Sequence, residues 1–203
     1  MSKYGKLNNR WLSENNMNNE KKDEYEYPTQ SFYKNYKICD HPPQLLFAVL
    51  GVNIWAADKW GANKFLAPKS LIVSVGEEMI QTRPMRGDTE IIKSLLPYMN
   101  GFEHRQIYLP CEDRSIPIVK NTFWKALIET AKNKGIENVL FHCMGGHGRT
   151  GTALAAVLVA VHRSPAQESI DWIRKEYCDK AIESTSQEEY MFLLEKERDN
   201  DKL

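Results

Sequence analysis

Eleven residues near position 145, His142-Cys143-Met144-Gly145-Gly146-His147-Gly148-Arg149-Thr150-Gly151-Thr152, constrain this chain more than any other stretch. A cysteine and an arginine are separated by five residues, three of them glycine, and a short apolar run lies on each side. A strand entering such a loop and a helix leaving it aim the loop N–H groups and the helix N-terminus at one point. That arrangement favours an anion, whether thiolate or phosphate. Gly145, Gly146 and Gly148 relax the steric limits on so tight a turn. Arg149 can hold two phosphate oxygens bidentately, which Lys cannot. A free thiol is mostly protonated at neutral pH, and it is the thiolate that attacks. The hydroxyl of Thr150 is placed to hydrogen-bond that thiolate and ease its later departure. The competing description is a buried cysteine in a Gly-rich turn beside an unrelated arginine. The flanking His142, the three glycines and the strand-then-helix context argue against it.

The flanks supply that context. Val139-Leu140-Phe141 is a short apolar run entering the loop, and an apolar helix is expected after it to about Val161. Leu45–Leu50 and Leu71–Val75 are further apolar runs bounded by Pro, Gly or charge, and Gln106–Leu109 ends at Pro110; all three predict strands. Asp88–Met99 repeats its apolar residues at helical spacing. Pro117 can open a helix carrying Val119, Phe123, Leu127 and Ala131, closed by Gly135. Ser164-Pro165-Ala166-Gln167 offers a cap for a helix bearing Ile170, Ile173 and Tyr177, and a last helix is expected from about Ser186. Alternating strands and helices predict an α/β domain with a central, mostly parallel sheet of about four to five strands flanked by helices. The cysteine loop then falls at the carboxyl end of a strand, where such sheets bind ligands.

The chain has 203 residues, enough for one domain with a sizeable core. Residues 1–30 are rich in Asn and charge and poor in apolar side chains, so they are read as a flexible polar arm preceding a domain over 31–203. Lys plus Arg balance Asp plus Glu at 27 each, which gives no global pull toward nucleic acid or an anionic membrane. The longest apolar run, Ala153–Val161, is too short to span a bilayer, and the N-terminus lacks the apolar core of a signal peptide. Four cysteines far apart, without a Cys-x-x-Cys pair, fit reduced thiols and a cytoplasmic protein. No His/Cys cluster has metal-ligand spacing along the chain, so neither a metal nor a cofactor is expected.

His142–Thr150 resembles the His-Cys-x5-Arg-Ser/Thr signature of the protein-tyrosine and dual-specificity phosphatase superfamily. The fuller Cys-x-Gly-Gly-x-Gly-Arg-Thr-Gly is most similar to the compact cyclin-dependent-kinase-associated and Cdc14-like members. The resemblance covers roughly residues 70–195 and implies a dual-specificity-phosphatase-like fold. It also implies a phosphocysteine intermediate on Cys143 and a phosphoryl clamp at Arg149, with Met144 to Gly148 lining the phosphate loop.

An ester leaving group needs a proton donor. The superfamily places an Asp on a mobile loop roughly thirty residues before the cysteine, and Asp113 in Cys111-Glu112-Asp113-Arg114-Ser115-Ile116-Pro117 fits, with Glu112 as the alternative. A glutamine that orients the hydrolytic water is implied at Gln187, which could also cap its helix with Ser184. His142 is expected to hydrogen-bond nearby backbone and fix the loop, and His147 to face the pocket rim. Met144 and His147 stand where lipid phosphatases of the tumour-suppressor type carry Lys. Cys111 or Cys39 could protect Cys143 as a disulfide, though ordinary buried thiols are the simpler expectation.

The function expected from the sequence is hydrolysis of a phosphomonoester, with a phosphorylated protein or small phosphoester as substrate. An RNA 5′-phosphatase, an inositol-phosphate or lipid phosphatase, and a non-enzymatic phosphate-reading module are the alternatives.

Overall fold

The computed structural model describes residues 39–76 and 104–200. The helix expected over Asp88–Met99 and the polar arm over residues 1–30 lie outside the described residues. Five strands form one sheet: β1 (Gln44–Val49), β2 (Val52–Ala57), β3 (Ser70–Val75), β4 (His104–Leu109) and β5 (Asn138–His142). Their order is β1-β2-β5-β3-β4; β1 runs antiparallel to β2, and every other pairing is parallel. β3 and β5 are buried at every position, as continuous apolar strands covered on both faces must be. β5 sits between β2 and β3, with His142 in register with Ala57 and Ser74. The carboxyl ends of the parallel strands therefore meet at one edge, and Cys143 is the first residue past it.

α2 (Asn121–Asn133) and α3 (Gly148–Val157) pack on the sheet, and α4 (Ala166–Glu176) and α5 (Thr185–Asn200) pack against α3; a single turn, α1 (Lys59–Ala62), follows β2 and touches β2 and β5. α3 is buried along its length except at Arg149 and widens into a π turn over Leu158–His162. Trp124 of α2 is fully buried, and its indole N–H donates to the Tyr190 hydroxyl (2.8 Å), which donates to Val119 O (2.7 Å). That relay ties α2 and α5 to the segment arriving from β4. A buried indole and phenol each need such a partner. No helix among the described residues is long and apolar enough to cross a membrane.

The mostly parallel five-stranded sheet and its flanking helices match the expected α/β class. Three local expectations need correction. The sequence does not announce β2 as a separate strand, because it joins β1 through Leu50-Gly51, which lacks the usual Asn-Gly turn signal. Pro117 does not open α2: Val119 N–H bonds Pro117 O (2.9 Å) in a tight turn, and the helix begins at Asn121, whose N–H is taken by Glu197 (2.8 Å). Ser164 does not cap α4; its hydroxyl is engaged with the His162 ring (2.9 Å), and Pro165 stands at the cap in extended conformation.

The β1–β2 turn carries a local strain. Leu50 has φ +53° and Gly51 φ +82°, the left-handed pair of a two-residue hairpin turn, and only the second is a glycine. Leu50 is also exposed, so little packing is lost on replacing it. Leu50→Asn is expected to stabilise the fold by about 1 kcal/mol, raising Tm by roughly 2–4 °C. Thermal melting monitored by circular dichroism checks this, and a lower Tm would show that the leucine contributes more by contact than the turn costs.

Candidate active site

A loop whose N–H groups face an anion must turn its carbonyls outward, and each outward carbonyl needs a donor. Between β5 and α3, Met144 O accepts from Lys59 N–H (3.2 Å) and Gly146 O from the Tyr177 hydroxyl (2.6 Å). His147 O accepts from Gly151 N–H (2.7 Å) and Gly148 O from the Thr152 hydroxyl (2.8 Å). Gly146 has φ +75°, and a Cβ there would lie 3.1 Å from both Asp58 N and the His41 side chain. At Gly148 a methyl would collide with the Glu183 carboxylate.

The concave side of this loop forms a cavity of about 240 Å³ with Cys143 at its floor. Cys143 is only 3% exposed, and fully buried Thr150 donates its hydroxyl to the Cys143 sulfur at 3.2 Å. Arg149 closes the cavity, its guanidinium side chain 11% exposed. One guanidinium nitrogen donates to Cys111 O (3.2 Å), and the other pairs with the Asp113 carboxylate (3.0 Å). Asp113 lies on the loop between β4 and α2, and its side chain is 73% exposed at the cavity mouth.

Gln187, fully buried, does not line the cavity. Its amide oxygen accepts from Glu183 N–H (2.8 Å), and its nitrogen donates to Ser115 O (3.0 Å). Ser184 adds a hydroxyl bond to Arg114 O (2.8 Å). Gln187 thus joins the loop before α5 to the loop bearing Asp113. Its own N–H bonds Ser184 (3.3 Å to the hydroxyl), the helix-capping arrangement that the sequence allows. Glu183 lines the cavity beside Gly148. It is a site residue the sequence did not single out, although its position four before Gln187 was a usable signal.

His142 is buried and hydrogen-bonded to the Cys143 backbone, while its Nδ1 has no partner. Burial lowers its pKa from 6.5 to about 4, so the ring stays neutral. His147 lines the cavity and stacks edge-on against His41, with ring centroids 4.7 Å apart. Met144 and Gly145 complete the wall. Cys111 is buried with its thiol bonded to Glu112 O (3.6 Å), and burial pushes its pKa up to about 12, which makes it inert.

A cysteine-bearing loop closed by an arginine, at the end of a central strand, has counterparts. A family model described as "Swiss Army Knife protein, DSP-PTPase phosphatase domain" matches residues 92–191. Residues 92–191 are therefore similar to a dual-specificity/protein-tyrosine phosphatase domain. An uncharacterized protein of Methanocaldococcus jannaschii is 36% identical over 90 residues, 42% of this chain and 52% of that protein. The mouse (Mus musculus) dual specificity protein phosphatase CDC14B is 35% identical over 75 residues, 36% of this chain and 14% of the relative. The matches therefore span about half or less of those relatives. The crystal structure of Tk-PTP in the active form superposes with a TM-score of 0.53 at 19% identity, covering 76% of this chain and 96% of that one, and shares the fold.

Two outcomes follow for this loop. Gly146→Ala forces a side chain into left-handed backbone and against Asp58 and His41. It is expected to cost about 1–3 kcal/mol by urea denaturation and to weaken binding of inorganic phosphate measured by calorimetry. His142 gives a pH signature. The unfolded ring takes a proton near pH 6.5 and the folded one only near pH 4, so between them the unfolded chain binds more protons. Stability should therefore fall as pH drops through that window, by up to about 3 kcal/mol, and His142→Gln should flatten that part of the curve. Urea midpoints from pH 7 to 4.5 for both chains provide the check.

Proposed function

We propose that the chain is a cysteine-dependent phosphatase that hydrolyses phosphomonoesters on proteins or small molecules through a phosphocysteine. One observation carries the reading: a thiol under a hydroxyl donor, a guanidinium and a carboxyl on a separate loop border one cavity of about 240 Å³. The Cys143 thiolate attacks phosphorus, forming the S–P bond as the P–O bond to the leaving group breaks. Arg149 and the loop N–H groups hold the equatorial oxygens, and Asp113 protonates the leaving oxygen. Water then forms a P–O bond as the S–P bond breaks, giving its proton to Asp113, while Thr150 donates to the departing thiolate. Gln187 serves as a positioning residue that keeps the Asp113 loop against the phosphate loop. Its amide reaches water only by exchanging a present partner.

The cavity wall supports a substrate with a single phosphate. Among the described residues lining it, Arg149 is the one fixed cation, and Asp113 and Glu183 are both carboxylates that repel further phosphates. This favours phosphorylated proteins over inositol polyphosphates or triphosphate-ended RNA. Four free thiols fit a reducing cytoplasm.

Cys143→Ser is expected to abolish hydrolysis of para-nitrophenyl phosphate while retaining phosphate binding; residual turnover near wild type would refute the mechanism. Asp113→Asn should lose about 10²–10⁴-fold in kcat on an alkyl phosphate, where the leaving oxygen needs its proton, and much less on a nitrophenyl ester. Unchanged turnover of both esters would move the acid to Glu112.

A further inference from the structure

Outside the catalytic constellation the fold gathers a second set of reactive side chains. Cys39 and His41 precede β1, His147 belongs to the phosphate loop, and Cys178 follows α4. One ligand atom from each lies within 4.8 Å of the other three. The four come from three segments far apart in sequence, so no spacing along the chain announces them. Nε2 of His41 and Nε2 of His147 are both buried without a hydrogen-bond partner, and His41 is 7% exposed. A buried ring nitrogen left unpaired carries a cost comparable to a lost hydrogen bond, and two in one cluster with two thiols call for a common partner.

We propose that Cys39, His41, His147 and Cys178 bind one Zn²⁺ ion. Two sulfurs and two imidazole nitrogens are the donor set that tetrahedral zinc takes in structural sites, and the set lacks the open position of a catalytic one. Tetrahedral zinc spaces such donors by about 3.4–3.8 Å, so the cluster closes by about 1 Å on binding. Two S–H bonds release their protons to solvent, and two Zn–S and two Zn–N bonds form. The two thiolates balance the charge of the ion, so none is left buried unpaired. His41 is already held in place from three sides. Its backbone N–H donates to the Asp58 carboxylate (3.4 Å), its carbonyl accepts from Asp58 N–H (3.0 Å), and its ring packs on Tyr177. Tyr177 in turn holds Gly146 O. The metal therefore ties the segment before β1 and the end of α4 to the outer wall of the phosphate loop. The site stands without the phosphatase reading, which it would serve by pinning His147.

The test uses the full chain and the metal alone. Purified without chelator, the chain is expected to carry about one zinc per molecule by atomic emission. After stripping, Co²⁺ should give the visible bands of tetrahedral coordination with a thiolate-to-cobalt charge-transfer band, displaced by Zn²⁺. Cys39→Ser and Cys178→Ser should lose those features, while Cys111→Ser keeps them. Should either serine variant fail to fold, wild-type melting with Zn²⁺ and with EDTA decides, with a higher Tm expected for the zinc form. A chain that binds no zinc and melts identically under both conditions would overturn the proposal. So would a Cys39–Cys178 disulfide in the freshly purified chain, or cobalt bands lost in Cys143→Ser but kept in Cys39→Ser.

Discussion

The outward carbonyls of the phosphate loop are the constraint on which the site depends. Amides can converge on an anion only if the same peptide units turn their oxygens away, and buried oxygens need donors. Here the donors come from different places: Lys59 at the start of α1, Tyr177 at the end of α4, and Gly151 and Thr152 in α3 itself. The central position of β5 makes this workable. With β2 and β3 on either side, the strand delivers Cys143 where α1 is close enough to donate.

Arg149 links this cradle to the rest. Its guanidinium reaches the backbone of Cys111 and the side chain of Asp113, so the residues proposed as clamp and acid are already paired. The loop bearing Asp113 is held from its far side by Ser184 and Gln187. Arg114 and Ile182, at the two ends of this contact, both have left-handed backbone, with φ +57° and +59°. Each such residue costs on the order of 1–3 kcal/mol and persists only where its surroundings fix it. The strain therefore lies in the two loops that these bonds join.

What was legible in the sequence was contiguous. Cys143, Arg149, Thr150 and the glycines lie in one run between two apolar segments, and local steric rules dictate most of its geometry. Asp113 was singled out only through the resemblance, which implies an Asp about thirty residues before the cysteine, and the structure pairs it with Arg149. The donors to the loop carbonyls were not legible, because a backbone-bracing tyrosine such as Tyr177 looks like any residue on an apolar helix face. Pro117 misled for a related reason: it is a good first helical residue, but Val119 turns back on it and Glu197, from α5, supplies the start of α2.

The sequence by itself determined the α/β class, the order of strand, cysteine loop and helix, and the chemistry one short segment can perform. Those depend on periodicity and on neighbours a few residues apart. The tertiary structure alone decided which partners Gln187 satisfies and how Asp113 meets Arg149. It also decided that Cys39, His41, His147 and Cys178 share one small volume. These depend on sheet order and on loops closing over the strand ends, and contacts between segments a hundred residues apart leave no periodic trace along the chain.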